Sequence, residues 1–89
     1  MSKAYLITSD TCPPCQVLKD REKPLIDEIA PEILTIENED HINKASELIK
    51  DTGLHVNGVP CLLVQEDDGS AESFVGLVDI KKKLEQMRR

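Results

Sequence analysis

The hydrophobic positions of this chain change period several times, and each change marks an element. Residues 3–8, Lys-Ala-Tyr-Leu-Ile-Thr, are a short apolar run rich in β-formers and closed by the polar Ser9-Asp10-Thr11, which predicts a first strand. From Pro13 to about Ala30 the side chains of Val17, Leu18, Leu25, Ile26 and Ile29 recur at helical spacing. Pro13 and Pro14 suit a first helical turn, where an N–H would lack a partner in any case. Pro24 lies inside the same stretch and predicts a kink or a split near Lys23, because proline removes a hydrogen bond and clashes with the preceding turn. Pro31 ends the helix.

Residues 32–37 alternate weakly and predict a second strand. A second helix follows, capped by Asp40 or Asn43, with Ile42, Ala45, Leu48 and Ile49 as its buried stripe and Gly53 as its stop. After a loop through His55 and Asn57, residues 59–64 read as a buried strand opened by a proline, where a missing ladder donor is tolerated. Asp67-Asp68-Gly69-Ser70 is a hairpin turn into a strand around 72–75, and residues 78–87 form a last amphipathic helix carrying Ile80, Leu84 and Met87. The order is βαβαββα. Strands joined through a helix pair parallel with a right-handed crossover, and strands joined by a short turn pair antiparallel. The expected fold class is therefore α/β, a mixed four-stranded sheet with helices on both faces.

Composition narrows this picture. Eighty-nine residues are enough for one core, so residues 1–89 are expected to form a single domain. Tyr5 and Phe74 are the only aromatics, which leaves the core to Leu, Ile and Val at about 1.5–3 kcal/mol for each fully buried side chain. A net charge of −6 repels phosphate backbones and anionic lipid, which argues against nucleic-acid and membrane-surface roles. No apolar run approaches the ~20 residues of a membrane span, and Ala4-Tyr5-Leu6-Ile7 is too short for a signal-peptide core, so a cytoplasmic location is expected. Three cysteines, two of them in a Cys-x-x-Cys, do not make the even framework of a secreted disulfide scaffold.

In a reducing compartment such a pair points to redox chemistry or to metal. Disulfide exchange needs an accessible thiolate, a second thiol close enough to expel the mixed-disulfide partner, and a means of lowering the first pKa. Cys12 falls at the start of the first helix, facing the positive end of its dipole and the backbone N–H of Cys15, while Cys15 lies one turn on and turned inward. Cys12 is thus the candidate nucleophile and Cys15 the candidate resolving thiol. Pro13 and Pro14 stiffen the turn and remove two N–H groups, and Lys19 adds positive charge nearby. A zinc site of Cys12, Cys15, Cys61 and His55 is the competing reading, but the separation of His55 from Cys61 is loose for structural zinc and Pro-Pro suits a helix start.

The strand followed by Cys12-Pro13-Pro14-Cys15 and a helix, the Val59-Pro60 opening a later strand, and the run from Phe74 to Asp79 before the last helix together resemble glutaredoxins and minimal thioredoxins along nearly the whole chain. The resemblance implies a thioredoxin-like fold in which the Val59-Pro60 bond is cis and its loop packs beside the dithiol. It also implies a substrate-binding surface of Pro13, Pro14, Val59, Pro60 and Gly76, with the Val59 backbone pairing to a bound peptide or glutathione as an added strand. The implied activity is reduction of protein disulfides through Cys12 and Cys15, with the redox-active disulfide itself in place of a bound cofactor. Disulfide-containing proteins are the expected substrates of a monomer, and thioredoxin reductase or glutathione the expected electron donor.

The chain departs from both branches of the family. Glutaredoxins have a basic residue shortly before the first cysteine and a Gly-Gly pair before the last helix, whereas this chain has Ser9-Asp10-Thr11 and Val75-Gly76. Asp79 matches the acidic position that meets the glutathione amino group, but a cap for the final helix is the favoured reading. A glutathione-dependent glutaredoxin is therefore the alternative within the class, and a metal or iron–sulfur module using the same cysteines the alternative outside it. Thioredoxins carry Trp where this chain has Thr11. Cys61 reads as a small buried core residue, with a regulatory thiol near the dithiol as the second reading. His41 and His55 read as surface or loop residues, and Lys81-Lys82-Lys83 as a solvated helix face.

Overall fold

Pro24 breaks the first helical stretch in two. In the computed structural model, which describes residues 3–54 and 58–88, the elements run β1 (Lys3–Thr8), α1 (Pro13–Arg21), α2 (Lys23–Ile29), β2 (Glu32–Thr35), α3 (Glu39–Thr52), β3 (Cys61–Gln65), β4 (Ala71–Val75) and α4 (Leu77–Met87). Glu22 stands between α1 and α2 with φ −105° and ψ 21°, closing one helix and opening the next, so that Pro24 sits in a first turn where its missing N–H does no harm. α2 ends on Ala30 in the left-handed region, whose N–H bonds the Ile26 carbonyl at 2.7 Å.

The four strands form one sheet in the order β2-β1-β3-β4, with β1 parallel to β2 and the remaining neighbours antiparallel. β1 and β3 occupy the middle. Their successive side chains point to opposite faces and both faces are covered, which is why residues 61–64 read as an unbroken apolar run. On one face Leu6, Leu62 and Val64 pack with Leu18 of α1, Leu25 and Ile26 of α2, and Ile80 and Leu84 of α4. On the other Ile7, Cys61 and Leu63 pack with Leu34 and with Ala45 of α3, flanked by Leu48 and Ile49.

Four local expectations need correction. The cap of α3 is Asn38, extended at φ −95° and ψ 119°, whose side-chain oxygen accepts from the His41 N–H at 3.2 Å; Asp40 and Asn43 lie inside the helix and have no cap to make. His41 is half-buried and has a partner, since its Nδ1 accepts from the Thr35 N–H at 3.0 Å. Ile42 is 43% exposed and lines a surface groove with Ile36, Ile49 and Val59 instead of joining the buried stripe. β2 stops at Thr35, where a turn closed by the Asn38 N–H on the Thr35 carbonyl at 2.9 Å draws the chain towards α3. The loop positions His55 and Asn57 lie outside the described residues. Among the described residues no helix is long and apolar enough to cross a membrane.

Candidate active site

The sheet topology brings four chain segments to one edge. β1 runs parallel to β2 and antiparallel to β3, which is in turn antiparallel to β4, so the C-terminal ends of β1, β2 and β4 and the N-terminal end of β3 lie side by side. The register confirms it, with Ile7 opposite Leu34 and Cys61, and Cys61 opposite Val75. Beyond that edge stand Cys12 after β1, Glu37 after β2, Pro60 before β3 and Gly76 after β4.

Cys12 is the N-cap of α1, extended at φ −97° and ψ 109°, and half-exposed. Its carbonyl accepts the first helical bond from the Gln16 N–H at 3.2 Å, and its own N–H bonds the Ser9 carbonyl at 3.3 Å. Pro13 and Pro14 follow as exposed residues of the first turn, so within it only Cys15 offers a backbone N–H to the Cys12 sulfur. That bond is not made here. The Cys12 thiol instead donates to the Val59 carbonyl at 3.6 Å, as a protonated sulfur should, because it cannot use its S–H on another donor. On ionising, the sulfur becomes an acceptor and the Cys15 N–H and helix dipole become its natural partners.

Cys15 is fully buried. Burial pushes its thiol up from 9.0 to about 11, the hydrogen-bonded Cys12 side chain adds to the rise, and Lys19 opposes it slightly. The two sulfurs are therefore neighbours with unequal access: Cys12 meets solvent and Cys15 does not.

The Val59-Pro60 peptide is cis. Pro60 is fully buried and its carbonyl accepts from the Gly76 N–H at 3.4 Å, which ties the start of α4 to the same loop. Gly76 has φ +95°, a conformation that any other residue would adopt only under strain, and it caps α4. Hydrogen bonds thus link Cys12 to Val59 and Pro60 to Gly76, with Pro60 buried beneath the loop and not on the surface expected of it. Asp79 is exposed in the first turn of α4, and since Gly76 takes the cap, the capping role expected of Asp79 falls away. Cys61 is buried in the core on the α3 face, and burial pushes its thiol up. Of the four residues weighed as a zinc site, His55 lies outside the described residues, and no cluster of three or more metal-ligating side chains occurs among the described ones.

Glu37 is the residue that sequence reasoning missed. Its carboxylate accepts from the Ser9 hydroxyl at 2.5 Å and from the Asp10 N–H at 2.8 Å, and the same hydroxyl accepts from the Thr11 N–H at 3.2 Å. These donors hold the Glu37 carboxyl below its ordinary value of 4.5, the Ser9 hydroxyl contributing most. The run Ser9-Asp10-Thr11 announces a turn but not a partner 28 residues away.

No protein-family model and no curated protein matches the sequence. Solved structures match the fold over almost its full length. Thioredoxin O2 from Arabidopsis thaliana, in its oxidised state, superposes with a TM-score of 0.71 at 20% identity, covering 100% of this chain and 76% of that one. Oxidised thioredoxin from Plasmodium falciparum gives 0.65 at 15% identity, over 99% and 82%. The oxidised C-terminal domain of DsbD from Neisseria meningitidis gives 0.60 at 21% identity, over 99% and 80%. With its mixed sheet in the order β2-β1-β3-β4, its dithiol at a helix start and its cis-proline loop, the chain has a thioredoxin-like fold.

Proposed function

We propose that the chain is a thiol–disulfide oxidoreductase that reduces protein disulfides through Cys12 and Cys15. The observation that carries this reading is the half-exposed Cys12 at the open start of α1, against the Val59 carbonyl and with buried Cys15 behind it. The Cys12 thiolate attacks one sulfur of the substrate disulfide, forming a mixed disulfide and expelling the other sulfur as a thiolate that takes up a proton. Cys15 then gives up its proton and attacks the Cys12 sulfur. A Cys12–Cys15 disulfide forms and the second substrate sulfur leaves, so two electrons have passed to the substrate. The high pKa of Cys15 keeps it protonated until the mixed disulfide is in place, and the departing thiolate is a ready acceptor for its proton.

Val59 and Gly76 supply the binding surface. The Val59 carbonyl, which the Cys12 thiol occupies in the free protein, becomes available to an extended substrate backbone once that thiol has reacted. An apolar groove lined by Ile36, Ile42, Ile49 and Val59 continues from it, which favours a polypeptide over a small thiol as the partner. The test is Cys15→Ser, which is expected to trap substrate on Cys12 and to abolish turnover with insulin as the disulfide substrate. Retained turnover would make Cys61 the resolving thiol. Running the parent with NADPH and thioredoxin reductase, and separately with glutathione and glutathione reductase, identifies the electron donor.

A further inference from the structure

Residues 9–11, which carry the chain from β1 to Cys12, have no apolar side chain to anchor them, and only Ser9 is buried. Their position comes from β2. The parallel register of Thr8 with Thr35 is extended by the Ile36 N–H on the Thr8 carbonyl at 2.9 Å, and this sets Glu37 directly alongside Ser9 and Asp10. We propose that Glu37 is a positioning residue for the Cys12 nucleophile: its carboxylate, gripping Ser9 Oγ at 2.5 Å and the Asp10 N–H at 2.8 Å, fixes the loop that aims Cys12 Sγ along the Val59 wall. The inference rests on Cys12 being the attacking thiol.

The grip reaches Cys12 by two routes. Ser9 uses its hydroxyl to hold the Thr11 N–H at 3.2 Å and its carbonyl to hold the Cys12 N–H at 3.3 Å, so fixing Ser9 fixes both residues that follow the turn. Hydrogen bonds to an ionised carboxylate are roughly twice as strong as neutral ones. Attack on a disulfide needs the nucleophile in line with the sulfur–sulfur bond, and a misplacement of about 1 Å can cost ~100-fold in rate. A loop released from Glu37 spreads Cys12 over several placements.

The test uses the Cys15→Ser background and a small aromatic disulfide, whose released thiolate reports the single attack by Cys12. This reaction does not depend on the chain being a protein-disulfide reductase; failure of the parent to turn over insulin would count against the proposed function alone. Glu37→Ala is expected to slow the attack about tenfold at pH 7. Glu37→Gln should return it to within about threefold of the parent, because an amide oxygen still accepts from the Asp10 N–H while the amide nitrogen donates to Ser9 Oγ. Ser9→Ala with Glu37→Ala should slow the attack by less than the product of the two single effects, because the Ser9–Glu37 bond is lost in both. Should Glu37→Ala fail to fold, Ser9→Ala reads the same grip from its other end. An unchanged rate in either alanine variant overturns the proposal. So does equal slowing by Gln and Ala, since the hydrogen-bonded geometry that Gln retains would then not set the rate.

Discussion

Cys12 and Cys15 share one helix start and need opposite environments. In the proposed mechanism the attacking sulfur must reach solvent, and Cys12 stands at the N-cap; the resolving sulfur must wait, and Cys15 is buried one turn on. Iodoacetamide should therefore modify Cys12 well before Cys15, with peptide mapping as the readout, and preferential labelling of Cys15 would reverse the roles. Burial of Cys15 also has a consequence for stability. Its thiol, at about 11 in the folded reduced chain against 9.0 unfolded, keeps a proton that the unfolded chain releases first. The stability due to the buried neutral thiol is fully present below pH 9.0 and is lost as pH rises through about 11. Reduced parent should lose thermal midpoint across that interval relative to Cys15→Ser. Cys61, raised in the same direction by burial, is present in both proteins and cancels. Parallel losses in parent and variant would show that Cys15 does not govern this alkaline limb.

Helix ends show where local sequence suffices and where it does not. Asn38→Ala should cost about 1 kcal/mol by removing the cap of α3, while Ala30→Gly should stabilise by up to about 1 kcal/mol. Ala30 holds φ +53°, a conformation costly for an L-residue and free for glycine. Urea midpoints that move down for the first and up for the second, with unchanged slopes, are the expected result. The break at Pro24, the stop at Gly53 and the strand opening after Pro60 were legible because proline and glycine act on their own backbone. The choice among Asn38, Asp40 and Asn43 was not. All three can cap, and the selection was made by the turn after Thr35 and by the His41 ring closing on the Thr35 N–H. The exposure of Ile42 was not legible for a related reason: its spacing fits the stripe of Ala45 and Ile49, but periodicity cannot show that the position lines an open groove. Glu37 was invisible at this scale, since its partners come from another strand.

At the scale of the molecule the dithiol, the cis-proline loop, Glu37 and Gly76 meet because one parallel and two antiparallel pairings place four strand ends on the same edge. The βαβαββα order predicts the mixed sheet but not its strand order, so the grouping of Cys12 with Pro60 and Gly76 was legible only through the family resemblance. The two faces of the sheet are also coupled through its middle strand. Leu62 is fully buried among α1, α2 and α4, and its neighbour Leu63, 3% exposed, packs on the face covered by α3. Truncating either to alanine should cost about 2–5 kcal/mol, a large share of the ~5–15 kcal/mol that holds a small domain together. Because β3 cannot lose one face and keep the other, both variants should unfold in one transition. Native-state hydrogen exchange checks this most directly. The slowest amides of α3 and α4 should lose protection together, and by the same free energy, in Leu62→Ala and in Leu63→Ala. If Leu63→Ala loosened α3 while α4 kept its parent protection, the two faces would be separate cooperative units, and the domain would not unfold as one body.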